Sequence, residues 1–216
     1  MDGYLGWFLL LAVLPASFAL RKVVPVLNQR WTGRWQLRRA LESALPKPYY
    51  TLFHDLDVPT RSGVVRIDHL VLSPYGLFVI DAKPFSGRIQ GSADERSWTR
   101  EGLRKTVRFD NPLDQNRDNI RALRNFLGLD DSKFHSIVVF TGETVLSPAL
   151  PVNVTTPGGL LPFIQVRTES LLDLERLPAL VERIGSSERL PEQRSMGEGL
   201  VAISPQSGAV GQLPDR

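Results

Sequence analysis

Two aspartates and a lysine are the residues of this sequence whose types and spacing could do chemistry. Asp68 and Asp81 flank an otherwise almost wholly apolar stretch, and Lys83 follows two positions later. If Ser73–Gly76 forms a hairpin turn, the two aspartates stand directly opposite each other, with Cβ atoms about 4.5–5.5 Å apart. Two like charges at that distance need a cation or a proton between them. The spacing therefore favours a divalent ion held by both acids, with Lys83 on the same face to orient water or stabilise phosphate charge.

A plainer interpretation of the same residues stays open. The hairpin register pairs Leu72 with Leu77, and a slip of one residue would separate the aspartates. Asp81 and Lys83 would then pair with each other at a solvated strand end, with Asp68 in a turn. Spacing alone does not decide between a metal site and a surface ion pair.

The elements that must position these side chains follow from the apolar pattern and from the turn residues between apolar runs. The predicted strands are 49–58, 64–72, 77–83, 87–90, 97–99, 134–141 and 165–167. The predicted helices are 35–45, 113–127 and 170–184, the last kinked at Pro178. The first helix has an apolar face made of Trp35, Leu37, Leu41 and Leu45. This order predicts an α/β core, in which the continuous apolar run 134–141 suits a buried parallel strand.

The amino-acid composition excludes several kinds of functional site. The 216-residue chain contains no cysteine, which excludes disulfides, cysteine-ligated zinc, iron–sulfur clusters and thiol nucleophiles. The three histidines, His54, His69 and His135, are not spaced as a helical ligand pair, and His69 is expected to be a core residue. Oxygen-ligated Mg²⁺ or Mn²⁺ stays open. The formal net charge of +3 is only weak support for an anionic partner.

A run without charge, residues 4–20, lies near the N-terminus, and Arg21 and Lys22 follow it directly. A membrane-spanning helix needs about 20 apolar residues, with about 17 as the lower limit, and this run reaches that limit. The alternatives are a cleaved signal peptide, which would normally begin with positive charge, and a buried core helix. The flanking charges predict a single-pass anchor with its N-terminus outside and the following domain in the cytoplasm.

Positive charge gathers between residues 96 and 108, where Glu101 is the only acid and Trp98 lies nearby. Such a stretch suits contacts with phosphates, with an aromatic ring available for stacking on a base. The alternative is a solvated basic loop. The candidate nucleic-acid-binding residues are Arg96, Arg100, Arg104, Lys105 and Arg108.

Several separated motifs run in order along the chain. They are Ile67-Asp68-His69, Ser73-Pro74-x-Gly76-Leu77-Phe78-Val79-Ile80-Asp81-x-Lys83, Gly87-x-Ile89-x-Gly91, Trp98, Asn111-Pro112-Leu113-x-Gln115-Asn116, Val138-Val139-Phe140-Thr141-Gly142 and Pro151-x-Asn153-Val154. Together they resemble the nuclease-related domain (NERD) family of the PD-(D/E)XK nuclease-like superfamily. The resemblance runs from about Gly33 to Arg167. It divides the chain into an anchor at 1–27, a linker at 28–33, a nuclease-like domain at 34–167, a C-terminal helix at 168–185 and a disordered tail at 186–216.

The resemblance implies a restriction-endonuclease-like core, a mixed central sheet flanked by helices, which hydrolyses nucleic-acid phosphodiester bonds with Mg²⁺ or Mn²⁺. DNA is the more expected substrate, and no protein partner is predicted. On the matching positions, Asp68 and Asp81 are the metal ligands, Lys83 is the catalytic lysine, and Gln115 is a further catalytic-site residue.

Two positions depart from the family pattern. The family usually has Glu where Asp81 stands, and it commonly has Gly-Glu where Gly33 is followed by Arg34. Glu42 lies two turns further along the helix and is a poor substitute. The missing acid favours an alternative function, a catalytically degenerate, membrane-tethered module that binds nucleic acid or another partner. A third possibility is a membrane-associated protein whose basic face binds anionic lipid headgroups.

Overall fold

The computed structural model describes residues 33–187 of the chain. The predicted anchor and nearly all of the predicted tail lie outside these residues. Between residues 33 and 187, no helix is both long enough and apolar enough to cross a membrane.

The described part of the chain contains four helices and nine strands, and six of the strands follow one another between α1 and α2. The helices are α1 (33–44), α2 (Pro112–Leu127), α3 (Pro157–Gln165) and α4 (Leu177–Ser187), with short 3₁₀ turns at Asp131–Lys133 and Leu174–Arg176. The strands are β1 (Thr51–Thr60), β2 (Gly63–Ser73), β3 (Gly76–Lys83), β4 (Gly87–Gln90), β5 (Ser97–Glu101), β6 (Thr106–Asp110), β7 (Phe134–Phe140), β8 (Thr144–Leu146) and β9 (Val154–Thr155).

The strands form two mixed sheets. The larger has the order β1-β2-β3-β7-β9, in which β1, β2 and β3 are antiparallel neighbours and β7 runs parallel to both β3 and β9. The smaller has the order β6-β5-β4-β8. Helices cover both faces of the larger sheet: α2 and α4 pack on one face, and α1 and α3 on the other. Because both faces are covered, β3 is buried along nearly its whole length. The predicted α/β fold with helices flanking mixed sheets is therefore confirmed.

The β2–β3 hairpin has the predicted register. Leu72 pairs with Leu77, and the pairing continues to His69 opposite Ile80. The turn works because Gly76 adopts φ +115°, in a region that residues with a Cβ rarely enter. A Cβ at this position would also lie 2.8 Å from the carbonyl oxygen of Lys133. This register places Asp68 and Asp81 opposite each other, one step beyond the last paired residues.

The β1–β2 ladder is interrupted at one position. His54 pairs with His69 and Leu56 with Ile67, yet the intervening Asp55 and Asp68 form no ladder pair. Asp55 has φ +52°, so its backbone is left-handed, a conformation that aspartate tolerates better than most residues. The interruption takes Asp55 out of regular strand geometry, next to the open end of the hairpin.

Helix α2 begins and ends at well-formed caps. The side chain of Asn111 accepts a hydrogen bond from the Leu113 amide at 2.9 Å, and Pro112 occupies the first turn. Gly128 closes the helix with φ +68°. These caps fix where the helix starts, and hence where Gln115 lies relative to the sheet.

Some local predictions were wrong. Trp35 is 56% exposed, although it lies on the predicted apolar face of α1. Residues 165–167 do not form a strand, because α3 extends to Gln165. The last helix begins at Leu177, so Pro178 lies in its first turn rather than at a kink. Strands β6, β8 and β9 were not predicted, since each is short and only partly apolar.

Candidate functional site

The open end of the β2–β3 hairpin brings two buried carboxylates together. Asp68 is 8% exposed and Asp81 5% exposed. The backbone amide of Ala82, which follows Asp81 in the chain, donates a hydrogen bond to Asp68 Oδ2 at 2.9 Å. This bond joins the end of β3 to Asp68 and holds one oxygen of that carboxylate against the sheet.

Lys83 lies on the same face as Asp81, as strand alternation predicted. Its Nζ forms an ion pair with Asp81 Oδ2 at 2.8 Å. The same ammonium donates a hydrogen bond to Gln115 Oε1 at 2.7 Å. The structure thus brings the four predicted site residues into one place, and their chemical roles remain predictions.

Arg34 is the residue that sequence reasoning left without a role at this site. From the start of the described helix α1, its guanidinium forms an ion pair with Asp68 Oδ1. A second guanidinium nitrogen lies 3.7 Å from Asp55 Oδ1. Glu42, the acid further along α1, is engaged instead with Arg38 at 2.8 Å. The helix therefore presents a cation to the carboxylate pair, where an acid was expected from the family pattern.

The electrostatics of the pair follow from burial. Desolvation raises the pKa of the Asp81 carboxyl above its usual value, and the positive charges of Lys83 and Arg34 oppose that shift. The four charged side chains that line the site, Arg34, Asp68, Asp81 and Lys83, carry two positive and two negative charges. Within this group the acids are balanced by side chains of the protein itself.

These residues line a cleft of about 310 Å³, together with Ala82, Pro84, Phe85 and Gln115. Phe85 connects the cleft to the smaller sheet: its ring packs edge-to-face on Phe109, with the centroids 5.0 Å apart. The guanidinium of Arg100 lies over the same ring at 5.3 Å. One of the predicted basic residues is therefore next to the cleft.

The remaining basic residues are spread over the β5–β6 hairpin, not over a solvated loop. Arg100 pairs with Val107, whereas Arg108 pairs with Thr99, so these two arginines project from opposite faces of the small sheet. Arg104 and Lys105 lie at the hairpin tip beside the fully exposed Leu103. Arg96 is exposed just before β5. The structure does not bring the five predicted residues onto one face.

Asn116 is a positioning residue whose role the sequence did not reveal. It is completely buried, and its side-chain amide donates hydrogen bonds to the carbonyl of Val79 and to Ser136 Oγ, both at 2.9 Å. These bonds lock α2 onto the adjacent strands β3 and β7. The only sequence signal was its place in the Asn-Pro-Leu-x-Gln-Asn motif, next to Gln115.

The histidine expected in the core is indeed buried, although only half satisfied. His69 Nδ1 lies 2.8 Å from His54 Nδ1, while His69 Nε2 has no hydrogen-bond partner. Burial lowers the pKa of His69 to about 3, and the neighbouring His54 contributes to the shift. Among residues 33–187, no three histidine or acidic side chains are grouped closely enough to hold a metal ion.

Comparison with known proteins identifies the fold family. Residues 29–141, more than half of the chain, match the family model described as nuclease-related domain, NERD. The chain belongs to this family. NERD domains fall within the PD-(D/E)XK nuclease-like class, in agreement with the order of motifs along the sequence.

A segment of 128 residues is 37% identical to an uncharacterized protein of Bacillus anthracis. The match covers 57% of this chain and 58% of the relative, so it spans well under two thirds of either protein. No solved structure matches the chain significantly.

The NERD family implies a divalent metal at this site, and the side chains as arranged do not fit one. Of the two oxygens of Asp68, one pairs with Arg34 and the other accepts the Ala82 amide. Asp81 is paired with Lys83. A divalent ion would enter a group whose charges already cancel, beside a guanidinium that occupies one of the two acids.

Proposed function

We propose that this NERD protein binds nucleic acid at the cleft, through the phosphodiester backbone, without metal-dependent cleavage. The observation that carries the proposal is that Arg34 and Lys83 both line the cleft and are held there by buried carboxylates. Arginine has five N–H donors and a lysine ammonium has three, so neither group is exhausted by its contacts here. The donors that remain suit phosphate oxygens.

The smaller sheet supplies the second contact region. Arg100 stands beside the cleft-lining Phe85, and the β5–β6 hairpin carries further exposed positive charge toward its tip. A nucleic-acid duplex or single strand that lies across the cleft would also contact this hairpin. Because most of the affinity would come from phosphate contacts, binding should weaken as salt rises. We expect DNA to bind more tightly than RNA.

Fluorescence anisotropy with labelled DNA and RNA tests this proposal on the full chain in detergent, with EDTA present. We expect salt-dependent binding that falls severalfold in Lys83→Ala and in Arg34→Ala. Arg121→Ala is the matched control, because this exposed α2 arginine pairs with Asp118 away from the cleft lining. Binding that ignores salt, or an equal loss in the Arg121 variant, would refute the cleft as the binding site.

Metal-dependent hydrolysis is the second candidate function. The observation that favours it is the convergence of Asp68, Asp81, Lys83 and Gln115 at one cleft. In this case Asp68 and Asp81 would hold Mg²⁺ or Mn²⁺, which would supply a Lewis acid and an activated water, and Arg34 would have to leave Asp68. Cleavage of labelled DNA or RNA that EDTA and Asp81→Ala both abolish would establish this function. Binding without cleavage would leave the binding function alone.

We also propose that residues 4–20 tether the protein to a membrane, with the NERD domain on the cytoplasmic side. The support is the uncharged run and the positive charge that follows it. Carbonate extraction of membranes should retain the full chain and release a variant lacking residues 1–27. Protease added to sealed right-side-out vesicles should leave the domain intact, and digestion of the domain would contradict the orientation.

A further inference from the structure

We infer that Arg34 is a built-in cation that takes the place of a divalent metal at the carboxylate pair, and that replacing it with an acid creates a metal site. The inference concerns the cation requirement of the cleft. It deepens the proposed function, and its own test does not depend on whether nucleic acid binds.

The contacts of Asp68 show how the guanidinium replaces a metal ion. One oxygen accepts a hydrogen bond from the Ala82 amide. The other forms the ion pair with Arg34. A metal shared between Asp68 and Asp81 would need that second oxygen as a ligand. Arg34 and a metal therefore compete for the same atom.

The backbone next to the site places a further acid against the same guanidinium. Asp55, Asp68 and Asp81 lie on three neighbouring strands. Asp55 and Asp68 fall at the unpaired step between the His54–His69 and Leu56–Ile67 pairs, and Asp81 follows the His69–Ile80 pair. The left-handed backbone of Asp55 leaves its carboxylate 3.7 Å from Arg34. One guanidinium thus lies close to two carboxylates. Its planar fork of several N–H donors suits this double contact better than a lysine ammonium would.

Asp81 provides an observation that is independent of Arg34. Its Oδ2 is buried and forms an ion pair with Lys83 at 2.8 Å. A carboxylate has about four lone-pair sites on its two oxygens, so one ion pair leaves ligand capacity for a further cation. Removal of Arg34 would therefore leave two carboxylates of the cleft with oxygens available to one cation.

The summed charge of the side chains that line the cleft determines how much the Mn²⁺ affinity should change. With Arg34 in place, the four charged side chains that line the cleft sum to zero. Replacing Arg34 with Glu changes this sum by two units and adds a carboxylate at the same position. Divalent-ion affinity rises with the number of charged oxygen ligands, so we expect Mn²⁺ to bind at least about tenfold more tightly.

The substitution should leave the fold intact. The Arg34 side chain is 40% exposed, and α1 is anchored by Leu37, Leu41 and Leu45, all of which are buried on the sheet. Arg38→Glu is the matched control. It makes the same change of charge one turn along the helix, at an arginine that pairs with Glu42 and does not line the cleft.

The experiment is a titration of the full chain in detergent with Mn²⁺, counting free Mn²⁺ by electron paramagnetic resonance. We expect Arg34→Glu to bind one Mn²⁺, with the wild type and Arg38→Glu binding at least about tenfold more weakly. Asp81→Asn added to Arg34→Glu should abolish the gain. Arg34→Gln removes the positive charge without adding a carboxylate, so it should show a smaller gain in Mn²⁺ affinity. This variant replaces Arg34→Glu in the test if Arg34→Glu does not fold.

Three outcomes would overturn the inference: equally tight binding by the wild type, an equal gain in Arg38→Glu, or no gain in a folded Arg34 variant. DNA binding by the wild type in EDTA, measured on the same preparation, keeps the two proposals apart. Its failure would count against the proposed function alone, because the Mn²⁺ titration contains no nucleic acid.

Discussion

Lys83 donates a hydrogen bond to Gln115 Oε1 at 2.7 Å, and this bond joins the last residue of β3 to the first turns of α2. The same ammonium lies 2.8 Å from Asp81. The position of the helix along the sheet therefore determines where the lysine that lines the cleft is held.

Gln115→Ala removes the acceptor and leaves Lys83 held by Asp81 alone. We expect the free energy of unfolding to fall by about 0.5–1.5 kcal/mol, the usual range for one hydrogen bond. Nucleic-acid affinity should also fall, since Gln115 no longer fixes the direction of the ammonium in the cleft. Urea unfolding followed by tryptophan fluorescence measures the first effect, and anisotropy the second. An unchanged affinity would mean that Gln115 does not position Lys83 for binding.

Asn116→Ala is expected to be more damaging, because it removes the donors that join α2 to both β3 and β7. Buried partners left without a hydrogen bond typically cost about 1–3 kcal/mol of unfolding free energy, and urea unfolding measures this loss. Asn125→Ala, on the exposed side of the same helix, should leave stability nearly unchanged. Similar losses in the two variants would show that helix propensity, not the buried amide, sets the effect.

The pattern of apolar residues predicted the hairpin, its register and the helix that carries Gln115. These predictions succeeded because each depends on local information: turn residues at Ser73–Gly76, alternation along β3, and the helical spacing of apolar residues in α2. Spacing along the predicted hairpin identified Asp68, Asp81 and Lys83, and the family resemblance added Gln115. Their convergence follows from pairing between neighbouring strands and from one helix–sheet contact.

Other features depend on contacts that no local pattern encodes. Arg34 reaches the carboxylates only because α1 crosses the sheet at this end, so its sequence position could not reveal the ion pair. Asn116 resembles any polar residue of an amphipathic helix until β7 is placed beside β3. Strands β8 and β9 are too short to have a period, and partners distant in sequence define them.

His69 should make the protein less stable in mild acid. Its pKa of about 3 in the folded state lies below the ordinary value of 6.5. Between these values the unfolded chain takes up a proton that the buried ring does not, so stability falls as the pH falls from 6.5. Urea midpoints at pH 7 and pH 4.5 should differ less in His69→Gln than in the wild type. His135→Gln, at a half-buried ring, should reduce the difference by a smaller amount.

The Asp81 carboxyl should change stability with pH in the opposite direction to His69. Burial raises the pKa of its carboxyl above 3.8, so within the window just above that value the folded state keeps a proton that the unfolded state has lost. Wild-type stability relative to Asp81→Asn should therefore decline as the pH rises through this window and then level off. Unfolding curves at closely spaced pH values test it. A flat profile for this comparison would contradict the argument.

Alanine substitutions at two turn glycines would distinguish the cost of backbone strain from the cost of a steric clash. Gly63 and Gly76 both have positive φ, of +135° and +115°. A Cβ at Gly63 would meet no atom within 4 Å, whereas one at Gly76 would lie 2.8 Å from the Lys133 carbonyl oxygen. Gly76→Ala should thus reduce the free energy of unfolding by at least about 1 kcal/mol more than Gly63→Ala. Equal losses in urea unfolding would show that backbone strain alone determines both effects.

The left-handed backbone of Asp55 has a consequence beyond the cleft. Among residues 33–187, strand β1 is the edge of the larger sheet, and an edge strand presents unpaired amide and carbonyl groups on which another chain could add a strand. The kink at Asp55 divides this edge near its middle, and Pro59 removes a donor close to its end. Neither half offers a long, regular template for strand addition. The residue that turns a carboxylate toward Arg34 thereby also protects the folded protein against aggregation through its sheet edge.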